Sequence, residues 1–326
     1  MLGSVAIGSL AATLRASRGL AAKHDIAAVA ARLGVSSADA IAVGDDCAAI
    51  PDGDGFLLLA IEGFINEFVA ADPWFAGWCG VMVNISDVAA MGGRPLAVVD
   101  AVWSSGEENA APLTSGLREA AQAFAVPIVG GHTNTRCDRS QLSVAILGRA
   151  QRLLTSFDAK AGDNLIAAID LRGRYREPFA NWEAFTNAPA ARLRGDIAVL
   201  PAIAEAGLAG AGKDISQGGI IGTAIMLAEC SGVGAVIDVL NIPRPDGVSL
   251  ERWLQTFPSF GYLLAAPPRN VPTVLALFAA RGIAAAQIGT VSEGDRVEIT
   301  DGCVSEVVWD FSQGALIGCR TMEAIT

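Results

Sequence analysis

The segment Val83–Pro95 combines polar side chains, small residues and a final proline, a combination that suits a ligand site near a helix end. On a helix, Asn84 and Asp87 share one face because they lie three residues apart. A buried carboxylate such as Asp87 needs a cation or several hydrogen-bond donors to remain ionised. The alternative is that Ser86 or Asp87 only caps the start of a helix. These residues alone favour neither interpretation.

Further acids occur upstream of this segment. Asp45 and Asp46 are adjacent carboxylates in a turn that begins with glycine, and Glu62 directly follows the strand-like run Phe56–Ile61. Neighbouring carboxylates repel each other, and a hard divalent cation with oxygen ligands removes that repulsion. The acids therefore indicate a cation site, with a solvated aspartate turn as the alternative for the adjacent pair.

Two glycine-rich motifs downstream suit phosphate binding. The glycines of Gly130–Thr133 let backbone amides approach a phosphate closely. Asp214–Gly219 lies at the start of a predicted helix, where free amides and the helix dipole attract anions. For His132, the alternative is a hydrogen bond within its own loop. The Walker-like spacing of Gly207–Lys213 is not a P-loop, because an aspartate stands where Ser or Thr must bind magnesium.

Strands and helices are predicted to alternate, which indicates an α/β or α+β chain of roughly two domains in 326 residues. The helix Phe75–Met91 would carry the first motif. Upstream, the pattern predicts one helix over Leu10–Leu33 and a short strand at Ile41–Val43. The polar stretch Arg152–Gly162 is a plausible domain boundary.

Two further features concern small molecules and partners. Arg172–Pro189 combines arginines with aromatic residues, which suits a flat or anionic molecule, so we expect part of a substrate pocket there. A packed surface excursion is the alternative. The strands Phe56–Ile61 and Leu96–Val102 are too apolar for exposed strand edges, which predicts a homodimer.

Composition excludes several classes of protein. A net charge of −11 argues against nucleic acid or an anionic membrane as a partner. The apolar run Gly218–Leu240 contains Glu229 and Asp238, so it predicts a buried helix followed by a strand, and no membrane span. The six cysteines are scattered without a C-x-x-C pair, and the chain has two histidines, so the sequence argues against a zinc site. The same pattern predicts free thiols in a reducing cytoplasm.

In this order, the motifs resemble the superfamily of aminoimidazole ribonucleotide (AIR) synthetase, from about Lys23 to about Gly294. Its members include thiamine-monophosphate kinase, selenophosphate synthetase, the hydrogenase-maturation dehydratase and formylglycinamide ribonucleotide amidotransferase. The resemblance implies the two-domain PurM-like fold, of α/β (α+β) class. Residues 1–152 would form an ATP- and magnesium-binding domain with dimer-forming strands, and residues 153–326 a C-terminal α/β domain.

The resemblance also implies roles for individual residues. Magnesium would be held by Asp45, Asp46, Glu62 and Asp87. His132 stands where the kinases carry an acid, so we expect it to bond a phosphate or the acceptor. No catalytic residue is assigned, and His132 and Asp214 are the candidates. The residues expected to contact the nucleotide or substrate are Asn84, Gly130, Gly131, His132, Thr133, Asp214, Ser216 and Gln217.

The branch of the superfamily stays open. Thiamine-monophosphate kinase matches best at Asp45–Asp46 and Ser86–Gly92, yet Gln217 and Pro258–Tyr262 stand where that kinase has acids. We therefore expect magnesium- and ATP-dependent phosphoryl transfer to an oxygen (amide, carboxyl or phosphate) of a small-molecule substrate. The alternatives are a thiamine-monophosphate kinase-like phosphotransferase and a non-catalytic nucleotide-binding partner subunit.

Overall fold

The computed structural model describes residues 6–319, which form two compact units. The first unit comprises the chain up to Asp45, Leu154–Ala184 and the chain from Ala206 onward. The second comprises Asp46–Leu153 and Phe185–Glu205. Each unit is described by itself.

The elements alternate along the chain as the sequence predicts. The helices are α1 (Ile7–Arg15), α2 (Arg18–Leu33), α3 (Asn66–Ala71), α4 (Pro73–Ala90), α5 (Glu107–Phe124), α6 (Ala190–Ile197), α7 (Val199–Glu205), α8 (Gly219–Ser231), α9 (Leu250–Leu254) and α10 (Val271–Ala279). The strands are β1 (Ala48–Asp52), β2 (Gly55–Gly63), β3 (Arg94–Ser105), β4 (Ile128–Asn134), β5 (Arg136–Ala150), β6 (Asn164–Ile169), β7 (Arg174–Tyr175), β8 (Asn181–Glu183), β9 (Ala211–Asp214), β10 (Gly234–Asp238), β11 (Phe257–Pro258), β12 (Gly261–Ala266), β13 (Ala284–Ser292), β14 (Arg296–Thr300) and β15 (Ser305–Asp310).

The second unit contains a five-stranded sheet with strand order β1-β2-β5-β3-β4. Alternation along β2 buries Leu58 and exposes Leu59 and Ile61. We call the buried side, against which α4 packs, the helix face of this sheet, and the other side the open face. α4 is buried on all sides because it lies between this sheet and α5, and most of its residues are apolar.

The boundaries of α4 correct two interpretations of Val83–Pro95. The helix begins at Pro73, where the Asp72 side chain accepts a hydrogen bond from the Phe75 amide. Ser86 and Asp87 therefore lie near its end, and the interpretation that either caps a helix start is wrong. Gly92, with φ of +74°, turns the chain out of the helix before the proline is reached.

The first unit contains a seven-stranded mixed sheet with order β15-β14-β10-β13-β6-β12-β9. The single helix predicted over Leu10–Leu33 is two helices, because the chain breaks at Ser17, whose side chain caps α2. Ile41–Val43, predicted as a strand, lies in bends before the first strand. The run Gly218–Leu240 forms α8 and β10 as predicted, and none of the helices described between residues 6 and 319 could cross a membrane.

Arg172–Pro189 forms the short β7–β8 hairpin, which pairs with β11 in a separate three-stranded sheet. Its arginines face protein carboxylates: Arg172 lies 2.7 Å from Asp170, and Arg174 lies 3.7 Å from the buried Glu183. Among its aromatic residues, Trp182 is buried. These contacts favour the packed excursion over the substrate pocket.

Helices α4 and α5 approach each other closely through two glycines. A Cβ at Gly116 would lie 1.9 Å from the Trp74 carbonyl oxygen, and one at Gly77 would lie 2.0 Å from the Leu113 carbonyl oxygen. Because the obstructing atoms are backbone, a side chain at either position would force the helices apart. This contact fixes the helix that carries Asn84 and Asp87.

We predict that Gly116→Ala lowers the free energy of unfolding by about 2 kcal/mol or more, the scale of core overpacking. Denaturant titration of both proteins measures the loss. Gly130→Ala is the control, since a Cβ there meets no atom within 4 Å. Equal stability of Gly116→Ala and wild type would show that the helices separate without cost.

Candidate functional site

A row of residues crosses the five-stranded sheet at one level. Glu62 of β2 pairs with Val144 of β5, Val144 pairs with Asp100 of β3, and Asp100 pairs with Gly131 of β4. Residues paired in this way project from the same face of a sheet. Two acids, Glu62 and Asp100, therefore lie on the helix face, separated by one strand.

Helix α4 runs along this face and fixes the position of Asp87. A Cβ at Gly80 would lie 2.8 Å from Val144 Cγ2, and one at Gly148 would lie 2.5 Å from Val88 Cγ1. The Gly80 end of α4 therefore lies over the row that contains Glu62 and Asp100. Asp87 is seven residues beyond Gly80, about 10 Å further along a helix that rises 1.5 Å per residue.

We call the row with Glu62 and Asp100 the first level of α4 and the position of Asp87 the second level. Asn84 lies between these two levels and is fully buried. Its side-chain amide donates to the Gly80 carbonyl oxygen at 2.8 Å, within the same helix. Its Oδ1 atom is buried and accepts no hydrogen bond from the part of the chain that the structure describes. A buried acceptor without a donor costs roughly 1–3 kcal/mol, so Asn84 fits a site that a ligand completes.

Asp46 directly precedes a residue that contacts the end of α4. The amide of the next residue, Cys47, donates to the sulfur of Met91 at 3.0 Å, and Met91 lies one helical turn after Asp87. Four acids of the second unit thus lie at two levels along α4, with Glu62 and Asp100 in the row across the sheet and Asp87 about 10 Å further along the helix, where Asp46 precedes the residue that contacts Met91. All four offer oxygen ligands, which magnesium prefers. No three metal-binding side chains are clustered around a single point within residues 6–319.

Asp100 is a site residue that the sequence interpretation missed. It lies within an apolar strand, outside every motif, and only the pairing of strands brings it beside Gly131. Its carboxylate lies so near that a Cβ at Gly131 would be 2.9 Å from Asp100 Oδ1. Burial raises the pKa of Asp100. A cation bound nearby would favour the charged form of such a buried acid.

The Gly130–Thr133 motif lies inside strand β4, whereas the sequence suggested a turn. Alternation along the strand divides the motif between the two faces. Gly131 and Thr133 lie on the helix face with Asp100, whereas Gly130 and His132 lie on the open face. The His132 ring is exposed and lies 5.8 Å from the Trp103 ring.

In the first unit, Asp45 belongs to a buried polar network. Its two carboxylate oxygens accept from the Ser156 amide at 2.8 Å and from the Ser156 hydroxyl at 2.7 Å. The ammonium of Lys213, a buried residue, lies 3.3 Å from the same hydroxyl. The structure thus gives Asp45 a protein partner that no sequence motif indicated.

The second glycine-rich motif precedes α8 as predicted. Asp214 is buried at the end of β9, Ser216 is half-buried and Gln217 is exposed. The N-terminus of α8, at Gly218, has no side-chain cap. No side chain therefore caps the first amides of α8. An anion site at a helix start requires amides that no side chain caps.

Two units, each built from helices and a sheet, define a two-domain protein of the α/β class. Residues 44–150 match the family model "AIR synthase related protein, N-terminal domain", and residues 184–302 match its C-terminal domain. The chain belongs to the AIR synthase related family.

Similar proteins agree with this assignment. The chain is 47% identical to the uncharacterized protein sll0787 of Synechocystis sp., over 94% of this chain and 96% of the relative. It is 31% identical to thiamine-monophosphate kinase of Pyrococcus horikoshii, over 40% of this chain and 44% of the kinase.

Solved structures confirm the predicted two-domain PurM-like fold. T. maritima PurL complexed with ATP superposes with a TM-score of 0.70 at 20% identity, covering 86% of this chain and 47% of PurL. This chain therefore spans about half of PurL. AaThiL complexed with AMPPCP and TMP gives a TM-score of 0.64 at 22% identity, covering 84% of this chain and 91% of AaThiL.

We predict that Asp100→Asn stabilises the metal-free protein at neutral pH. A raised pKa means that the folded chain holds this proton more tightly than the unfolded chain. The resulting stability is complete below the ordinary carboxyl pKa of about 3.9 and is lost as the pH rises through the folded-state pKa. Asparagine has no such proton to lose.

Denaturant titrations at several pH values measure this effect. The gain from Asp100→Asn should be absent near pH 3 and grow above about pH 4. Asp246→Asn, at an exposed position, is the control and should show no such trend. A difference between Asp100→Asn and wild type that is the same at every pH would contradict the buried-acid account.

Proposed function

We propose that this chain binds magnesium and ATP and transfers a phosphoryl group to an oxygen of a small-molecule acceptor. The observation that carries the proposal is that acids lie at two levels along α4. Glu62 and Asp100 project from the helix face of the sheet, and Asp87 lies about 10 Å further along the helix. In this proposal the acids bind magnesium together with phosphate oxygens, which suits an ion that retains few protein ligands.

Each level has a distinct part in the proposal. Asp46 and Asp87 would hold one magnesium ion, and Glu62, helped by Asp100, would hold another along the polyphosphate. Gly131 and Thr133 lie beside Asp100, where backbone amides and a hydroxyl suit phosphate oxygens. The Asn84 side chain would gain the donor that its buried oxygen lacks. When bound, magnesium would neutralise charge on the transferred group.

The first unit, taken by itself, holds groups that suit an anion such as a phosphate. The uncapped start of α8 offers amides for an anion, and Ser216 and Gln217 lie directly before it. Of the two catalytic candidates, Asp214 is the stronger one for orienting an acceptor, because it is buried and belongs to the motif that precedes α8. His132 lies on the open face and is the weaker candidate. Asp45 would bind magnesium only if it exchanged Ser156 for metal.

The chemistry needs positioning and charge neutralisation more than a covalent nucleophile. The names of related proteins support this class of reaction, since they include a thiamine-monophosphate kinase and complexes with ATP and AMPPCP. Incubation of the protein with Mg-ATP and panels of amides, carboxylates and phosphate esters, followed by product analysis, tests it. ADP release that depends on one acceptor class would identify the substrate.

Two alternative functions remain. A thiamine-monophosphate kinase activity is favoured by the relative from Pyrococcus horikoshii. Gln217, where such kinases carry an acid, argues against it. A non-catalytic nucleotide-binding partner subunit would bind Mg-ATP equally well but release no ADP with any acceptor. Thiamine monophosphate in the acceptor panel separates the first alternative from the main proposal.

We also propose a homodimer formed through the open face. Leu59, Ile61 and Val99 project from this face and are 48%, 69% and 41% exposed. Strand β4, at the edge of the same sheet, is exposed along its whole length, so its unpaired backbone groups are available to a second copy. Burial of these side chains in a dimer would remove an apolar surface from water.

We predict that Asp87→Asn weakens magnesium-dependent ATP binding by at least about 2 kcal/mol, the scale for losing a charged partner. Calorimetry with and without magnesium measures the change. Glu67→Gln, an exposed acid on α3, is the control. If Asp87→Asn and wild type bind ATP equally in magnesium, Asp87 is not part of the site.

We predict that Ile61→Glu makes the protein monomeric, because a charge in an apolar interface must be desolvated. Light scattering at micromolar concentration should show a dimer for wild type and a monomer for the variant. Leu240→Glu, which alters an exposed leucine of the first unit, should stay dimeric. A wild-type monomer would disprove the dimer.

A further inference from the structure

Two cysteines of the first unit face each other. Neither Cys230, near the end of α8, nor Cys319, which follows β15, is in a disulfide. Both sulfurs lie beside the position of a Cβ at Gly44, at 3.4 Å and 2.0 Å from it. Cys319 is buried and Cys230 is partly exposed. Two thiols held beside each other, one of them on a partly exposed residue, are placed to form a disulfide.

Neighbouring residues hold the two thiols in place. The buried carboxylate of Glu229, next to Cys230, accepts the Cys319 amide at 2.9 Å and the Leu316 amide at 2.6 Å. The Ser37 hydroxyl donates to the Cys319 carbonyl oxygen at 2.7 Å. The segment that carries Cys319 is therefore fixed against the end of α8.

Both thiols also contact the loop that leads to Asp45. The Cys319 sulfur lies 3.4 Å from the Val43 carbonyl oxygen, and the Cys230 sulfur lies 3.5 Å from that of Gly44. Gly44 has φ of +126°, and a Cβ there would lie 2.0 Å from the Cys319 sulfur. The pair thus packs directly on this loop, and no side chain fits at Gly44.

The electrostatic surroundings suit thiol exchange. The hydrogen bond from Cys230 lowers the pKa of Cys319, with help from the nearby Lys213, although burial opposes this. The same hydrogen bond and burial raise the pKa of Cys230. The lowered pKa therefore favours the thiolate of Cys319, the form that attacks in a disulfide exchange.

We propose that Cys230 and Cys319 are a reversible modification site, which a low-molecular-weight disulfide oxidises to an intramolecular disulfide. The Cys230 thiol gives its proton to water, and its sulfur attacks one sulfur of the reagent, so the reagent's S–S bond breaks and one small thiolate leaves. Cys319, having lost its proton to water, then attacks the Cys230 sulfur, so the mixed disulfide breaks and the second small thiolate leaves. The two small thiolates take up protons from water. Two protein thiols and one disulfide thus become one protein disulfide and two small thiols.

Oxidation removes the thiol protons and changes the contacts of both sulfurs with the Val43 and Gly44 carbonyl oxygens. The Val43 amide donates to the Ser36 carbonyl oxygen at 3.2 Å, so its hydrogen exchange reports the opening of this loop. We expect exchange about fivefold faster after oxidation, the factor for losing roughly one weak hydrogen bond. A weaker Mg-ATP affinity would follow as well, and this consequence rests on the proposed function.

Oxidised glutathione and peptide mapping test the site. After treatment, non-reducing digestion should give a peptide that links Cys230 to Cys319, and dithiothreitol should reverse it. Cys319→Ser should instead retain glutathione on Cys230. Cys303→Ser, at an exposed position, is the control and should form the Cys230–Cys319 link like wild type.

The outcomes separate this inference from the proposed function. If both thiols of wild type stay fully alkylatable under glutathione that modifies Cys303, the inference is wrong, whatever the ATP affinity. If the link forms but Val43 exchange is unchanged, the effect on the loop is wrong. If the reduced protein binds no Mg-ATP while the link forms and Val43 exchange rises, the inference stands and the proposed function fails.

Discussion

The burial of α4 between a five-stranded sheet and α5 is the constraint on which the site depends. This helix takes Asn84 and Asp87 out of water together with its apolar residues. Burial of such polar groups is unfavourable unless partners compensate for the lost water. The glycine contacts with α5 and with the sheet hold the helix in place, so it cannot move these polar groups into water. A folded chain therefore holds a polar site that a cation or a ligand can complete.

The elements themselves could be predicted from periodicity. Alternating burial along β2 and the long apolar run of α4 are local properties, and both were predicted near their observed bounds. Helix breaks were harder to see: Ser17 divides α1 from α2 by a cap that the apolar spacing around it conceals. The fold class followed from motif order, because the order of motifs reflects the order of the elements that carry them.

The site could be predicted only in part, for a physical reason. Asp45, Asp46, Glu62 and Asp87 were predicted as magnesium ligands from acids in glycine- or strand-bounded motifs and from the family resemblance, and this assignment stays a prediction. Asp100 had no such context, and only the pairing of β3 with β4 and β5 places it beside Gly131. The face that His132 occupies depended on whether its motif is a turn or a strand, which residue types alone do not decide.

The link between Ser156 and Asp45 joins residues 111 positions apart, a distance in sequence that no motif spans. Its effect is to connect the acidic turn with the buried Lys213. The pair Cys230 and Cys319 is a second long-range contact on the same loop. In the first unit, the acidic turn is therefore fixed by tertiary contacts more than by its own sequence.

Hydrogen exchange with and without the magnesium complex of AMPPCP tests the central claim most directly. The account predicts protection, on nucleotide binding, of peptides that contain Asp46, the Asn84–Asp87 end of α4 and strand β4. Protection should require magnesium. Nucleotide binding without protection at these three places, or with equal protection in the absence of magnesium, would contradict the account.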